Sequence, residues 1–163
     1  MRIILKNKET LIYDVFEFKC SIGKKGTSLN KIEGDKKTPK GFFTLGPLFF
    51  RKNRIGNITT KLNRIEIKKS MGWCDDPNSK NYNKLIKINR KMKYEKLYLK
   101  KNTYDLLIPI NYNTKRIKKN KGSAIFIHLT TNYKKTFGCI ALKKKDMLIL
   151  LKLIDKNTKI QVI

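Results

Sequence analysis

The chain has 163 residues, a length that fits one domain spanning 1–163 with an ordinary core. Apolar residues make up 40% and aromatics 10%, which excludes a wholly disordered chain. The 39 Lys+Arg against 12 Asp+Glu leave a net charge of +27 and predict attraction to polyanions, but Lys, Asn and Ile are abundant together, as A/T-rich coding also produces, so charge alone assigns no partner.

The apolar patch Ile3-Ile4-Leu5 breaks at Lys6, too short for a signal-peptide core, so no signal peptide is visible. No stretch approaches the roughly 18 apolar residues of a membrane span, and no transmembrane segment is expected. Arg2 to Leu5 reads as a short strand, with Asn7-Lys8 as the turn of a hairpin. Thr10 to Cys20 alternates apolar and polar residues and predicts one half-buried strand. Phe42 to Leu45 reads as the next strand, ending at the Gly46-Pro47 break.

The middle, Arg51 to Lys101, is dense in Lys and Asn and predicts long excursions between strands, with a flap over a site. Asp105 to Tyr112 reads as a strand that Pro109 pushes toward an edge or a bulge. A basic loop, Lys115 to Lys121, closes at Gly122 and leads to a buried strand at Ala124 to His128. From Lys143 to Ile154 the spacing turns helical: Met147, Leu148, Leu150, Leu151 and Ile154 share one side, with Asp146 in the first turn. Lys159 to Ile163 closes the chain as a strand, giving a mainly-β domain with one helix.

Three widely spaced cysteines, Cys20, Cys74 and Cys139, form no CxxC pair, so neither a zinc ribbon nor a disulfide scaffold is expected. The only histidine, His128, ends an apolar strand, and Thr136-Phe137-Gly138-Cys139 follows after a polar loop. A thiol with a pKa near 8.5 is only slightly ionised at neutral pH, so a nucleophilic cysteine needs help from an imidazole or a nearby helix N-terminus. Gly138 would let backbone N–H groups approach a developing oxyanion. A buried inert thiol and a satisfied core histidine are the plainer alternative.

His128 ending one strand and the Thr136-Phe137-Gly138-Cys139 element resemble the catalytic signature of the L,D-transpeptidase (YkuD-type) domain family. Gly34-Asp35-Lys36-Lys37-Thr38-Pro39-Lys40-Gly41-Phe42-Phe43 resembles that family's upstream loop and strand. Trp73-Cys74-Asp75-Asp76-Pro77 and Asn111-Tyr112-Asn113 look like features of one bacterial branch. The chain departs from the fuller signature at Phe137, where the family has His, and at Ala141, where Arg or Asn is frequent; its interval from His128 to Cys139 is also shorter than in many members.

The resemblance implies a β-sandwich with long loops and one helix after the cysteine, working in the cell envelope. It implies a cysteine L,D-transpeptidase acting on peptidoglycan stem peptides without metal or organic cofactor. Cys139 would be the nucleophile and His128 the proton donor and acceptor, oriented by the carbonyl of Leu129. Backbone N–H groups of Gly138 and Cys139 would form the oxyanion hole, with Thr136, Trp73, Asp75 and Tyr112 as substrate contacts. Carbapenem-type β-lactams would acylate Cys139. Two rivals stand beside this: an L,D-carboxypeptidase or amidase hydrolysing the same acyl-enzyme, and a non-enzymatic basic module binding a polyanion. No sequence-specific nucleic-acid signature is present.

Overall fold

A computed structural model describes residues 1–163. The strands, in chain order, are β1 (Arg2–Leu5), β2 (Thr10–Tyr13), β3 (Phe16–Ser21), β4 (Thr27–Ser28), β5 (Thr38–Pro39), β6 (Gly41–Thr44), β7 (Leu48–Phe50) and β8 (Arg64–Glu66). They continue as β9 (Met71–Cys74), β10 (Leu85–Lys87), β11 (Tyr94–Lys96), β12 (Leu106–Pro109), β13 (Phe126–Leu129) and β14 (Ile140–Leu142). Helix α1 (Lys144–Leu153) and strand β15 (Lys159–Val162) close the chain. Ten strands form one sheet in the order β6-β15-β1-β2-β3-β14-β13-β12-β7-β8, and β10-β9-β11 form a separate small sheet.

The alternation of side chains along the central strands creates two cores. Ile127 and Leu129 of β13, Leu106 and Ile108 of β12, and Ile140 and Leu142 of β14 face the larger core, which Met147, Leu150 and Leu151 of α1 cover. Phe126, Leu107 and Cys139 face a smaller core with Trp73, Tyr104 and Phe49. The candidate site therefore lies on the side of the sheet away from α1.

Several expectations from sequence take a different form. Thr10 to Cys20 is a hairpin: Asp14, at φ +54°, and Val15 turn the chain, so Tyr13 pairs with Phe16. Both arms keep the period-two pattern, and the exposure of Val15 (82%) marks the turn. Asp105 to Tyr112 holds a central strand, with β12 hydrogen-bonded to β13 on one side and β7 on the other. Pro109 is tolerated because β7 pairs only with Leu106 and Leu107, so its missing N–H falls beyond that ladder. The excursion from Arg51 to Lys101 contains the small sheet, whose residues Asp75, Tyr94 and Glu95 reach the cavity described below.

Candidate active site

β13 and β14 run parallel, with Ile127 opposite Ile140 and His128 opposite Ala141. Paired residues share a face, so Cys139, one position before Ile140, lies beside Phe126 on the same face as His128. The Phe126 N–H donates to Cys139 Sγ at 3.3 Å, and the thiol donates to the Ala124 carbonyl at 3.3 Å. Ala124 is held at φ +52°, its N–H donating to Asn83 Oδ1 at 3.0 Å. Cys139 and His128 both line a cavity of about 1000 Å³, although each is more than nine-tenths buried.

His128 Nδ1 lies 2.9 Å from the Leu129 carbonyl oxygen. A carbonyl can only accept, so this contact assigns the proton to Nδ1 and leaves Nε2 as a base facing the cavity. The ring also meets Tyr104 edge-on, with centroids 5.3 Å apart. Burial pulls the imidazole down to about 4 despite the Leu129 contact, which favours its charged form. Burial, reinforced by Glu95, pushes the Cys139 thiol up to about 12. At rest the pair is a neutral thiol and a neutral imidazole, and no hydrogen bond joins them. Thiol attack then requires proton removal during the reaction rather than a stored thiolate.

The helix expected to assist the thiol stands further along the chain. β14 intervenes and α1 begins at Lys144, whereas a helix dipole acts within its first turn. The two amides expected to meet an oxyanion also differ. Gly138 N–H donates to Thr136 Oγ1 at 3.1 Å, while that hydroxyl donates to the Cys139 carbonyl at 2.6 Å. The Cys139 N–H makes no such contact. Gly138 matters for its shape: at φ +143° it approaches so closely that a Cβ would lie 2.8 Å from the Lys37 carbonyl oxygen. Thr136 therefore braces the loop, although it also lines the cavity.

Asp75 lines the cavity, and its Oδ1 is buried without a partner; burial raises its proton affinity. Trp73 and Tyr112 do not line it. Trp73 stacks edge-on against Phe126 and Phe49, and its Nε1 donates to Asn83 Oδ1 at 2.9 Å. Tyr112 packs against Phe43 and donates its hydroxyl to the Lys121 carbonyl at 2.5 Å, fastening the basic loop. These contacts make Trp73 and Tyr112 packing and loop-anchoring residues in this structure, not cavity walls.

Sequence reasoning missed Glu33, Glu95, Tyr104 and Asn83. Asn83 joins Trp73, Ala124, Tyr112 and Asn113 through its side-chain amide. Glu95 accepts from the Tyr104 hydroxyl, and burial pushes its carboxyl up to about 7. Glu33 accepts from Tyr82 and from Ser123 Oγ. Glu33, Glu95 and Tyr104 are distinguished only by their placement on the cavity, and Asn83 only by the contacts it makes behind it. The three cysteines are unpaired and form no shared cluster with His128.

The fold is similar to that of Bd1075 from Bdellovibrio bacteriovorus, at TM-score 0.54 and 17% identity, covering 99% of this chain and 47% of that one. It is also similar to Pgp2, the helical cell shape determining protein from Campylobacter jejuni, at TM-score 0.53 and 20% identity, covering 98% of this chain and 45% of that one. A mutant form of Pgp2 gives TM-score 0.55 at 21% identity, with 99% and 46% covered. The chain thus spans less than half the length of these solved proteins. No curated protein sequence matches it. The model of the L,D-transpeptidase catalytic domain matches residues 2–162, so the chain, with His128 in β13 and Cys139 just before β14, belongs to the L,D-transpeptidase catalytic domain (YkuD) family.

Proposed function

We propose that the chain is a cysteine L,D-transpeptidase domain that remodels peptidoglycan in the cell envelope. Cys139 Sγ attacks the carbonyl of the stem-peptide diamino acid that precedes a terminal D-alanine. The thiol proton passes to His128 Nε2, and the Cys139 N–H stabilises the oxyanion. Collapse breaks the amide bond, and the proton held by His128 leaves with the D-alanine amine. A neutral side-chain amine of a second stem then attacks the thioester carbonyl and gives a proton to His128 Nε2; the C–S bond breaks, Cys139 takes that proton back, and the new amide is the cross-link. The observation that carries this reading is the shared cavity of Cys139 and His128, with Nδ1 held by Leu129 and Nε2 left open. The similarity to Pgp2, a helical cell shape determining protein, agrees with a cell-wall substrate.

Hydrolysis is the second reading. Polar residues such as Thr103, Ser123, Thr130 and Asn132 line much of the cavity, a lining that suits water as an acceptor of the acyl group. Intact-mass spectrometry after incubation with a carbapenem tests the shared first half-reaction: an adduct on Cys139, absent from Cys139→Ala, is expected. No adduct across pH 5–9 would overturn the acyl-enzyme. Product analysis with a tetrapeptide donor separates the outcomes: a cross-linked dimer means transfer, and tripeptide alone in the presence of acceptor amine means hydrolysis.

A further inference from the structure

Three carboxylates in the cavity have no part in the steps above. Glu33 precedes β5, Asp75 follows β9 and Glu95 sits within β11, yet all three line the cavity of Cys139 and His128. Acidic residues are scarce, 12 against 39 Lys+Arg. Elsewhere Glu9, Asp35, Glu66 and Asp105 each pair with a cation. None of the three cavity carboxylates does. Asp14, Glu17, Asp76, Asp146 and Asp155 also form no ion pair, so what sets Glu33, Asp75 and Glu95 apart is that they meet on one cavity wall.

The groups that do reach these carboxylates are hydroxyls: Tyr104 on Glu95, and Tyr82 and Ser123 on Glu33. Asp75 Oδ1 is buried and has no partner. His128, only 7% exposed, also presents an unpartnered Nε2 to the same space. Repulsion from the other acids adds to burial in raising the proton affinity of Asp75 and Glu95. Lys93 acts on Asp75 through space, and Lys31, Lys101, Lys134 and Lys135 also border the cavity or its rim. Lys31 is already tied to Asp35 at 2.6 Å, and Lys135 to Glu9 at 3.6 Å.

All three carboxylates are half-buried and form no ion pair, and Asp75 Oδ1 is buried outright, so a cation arriving with the substrate offsets part of the cost of taking their charge out of water. Tyr94 and Tyr104 also line the cavity. We propose that Glu33, Asp75 and Glu95 form a recognition wall for a primary ammonium group of the substrate. This rests on the acyl-transfer reading and names what that site selects. The ammonium comes either from the side chain of the donor's diamino acid or from the incoming acceptor amine.

The test is calorimetric titration with two matched stem tetrapeptides, one with the diamino acid side-chain amine free and one with it N-acetylated. Cys139→Ala reports the donor position, and the wild-type chain acylated by a carbapenem reports the acceptor position. Tighter binding of the free amine by about tenfold or more is expected in one arm, which identifies the source. Adding Asp75→Asn or Glu95→Gln should collapse that ratio toward one. The affinity for the acetylated peptide should stay unchanged, which a misfolded variant would not give. Equal affinity for both peptides in both arms overturns the ammonium wall and leaves the peptidoglycan reading standing. A ratio that survives both substitutions overturns the assignment to these residues. Failure of either peptide to bind in either arm overturns the wall and the stem-peptide reading together.

Discussion

The ring of Tyr104 stands edge-on to the ring of His128, centroids 5.3 Å apart and planes at 71°, while its hydroxyl donates to Glu95. One side chain thus holds the imidazole by contact and the carboxyl by a hydrogen bond. Tyr104 is also edge-on to Phe126, so its ring is a keystone of the smaller core. Tyr104→Phe keeps the ring and should cost about 1 kcal/mol, the usual scale of a lost hydrogen bond. Tyr104→Ala should cost about 3–5 kcal/mol and slow carbapenem acylation far more than the Phe variant does. Urea unfolding and acylation rates measure both; an Ala variant acylating at the wild-type rate would show that the ring does not position His128.

The neutral resting pair predicts an unusual pH profile. With the thiol at about 12 and the imidazole at about 4, His128 is an unprotonated base at every pH above about 5. Acylation should fall only on the acid side, near pH 4, and stay level from pH 6 to 9. A free thiol would instead gain almost tenfold per unit below its pKa near 8.5. Reaction of Cys139 with iodoacetamide at pH 7 should be slow, since only on the order of 10⁻⁵ of the thiol is ionised. An inflection near pH 8 in the acylation rate would contradict the picture.

Glu95 links the site to stability. Its folded-state value, about 7, lies above the 4.5 expected for an unfolded chain, so between those values the unfolded state loses its proton first. The contribution of the protonated carboxyl is complete below pH 4.5 and is lost as pH rises through about 7. Glu95→Gln removes this titration, and it should gain on wild type by up to roughly 3 kcal/mol between pH 5 and 9. Chemical denaturation at pH 5, 7 and 9 checks it. A constant difference across that range would mean that Glu95 does not titrate there.

Gly138→Ala introduces two conflicts at once: φ +143° is a conformation that side chains rarely adopt, and the new Cβ would lie 2.8 Å from the Lys37 carbonyl oxygen. The expected loss is about 1–3 kcal/mol, together with displacement of Cys139 and a sharp fall in acylation. Thermal unfolding and the carbapenem mass shift report the two effects separately. Wild-type melting and wild-type labelling together would refute the close approach.

The helix over Lys144–Leu153 was legible because its apolar residues repeat at helical spacing, and β15 because Lys159-Ile160-Gln161-Val162 alternates polar and apolar residues. His128 and Cys139 were legible as a pair because their neighbours form a recognisable motif. Even so, the thiol's surroundings differ from the local reading, with a strand rather than a helix start after Cys139 and with the Gly138 amide already committed.

What the sequence by itself determined is what depends on neighbours along the chain: the period-two strands, the helix, the Gly-Cys element and the family to which they belong. Tertiary structure alone decided which face each residue joined and what met there. Pro109 could be central because β7 stops short of it, and Trp73 became a packing residue because β9 carries it into the smaller core. Glu33, Asp75 and Glu95 are separated by long stretches of chain, and no local pattern links them. Their convergence follows from strand order and the placement of the small sheet, and the raised proton affinities of Asp75 and Glu95 depend on burial and on charges that are neighbours only in space.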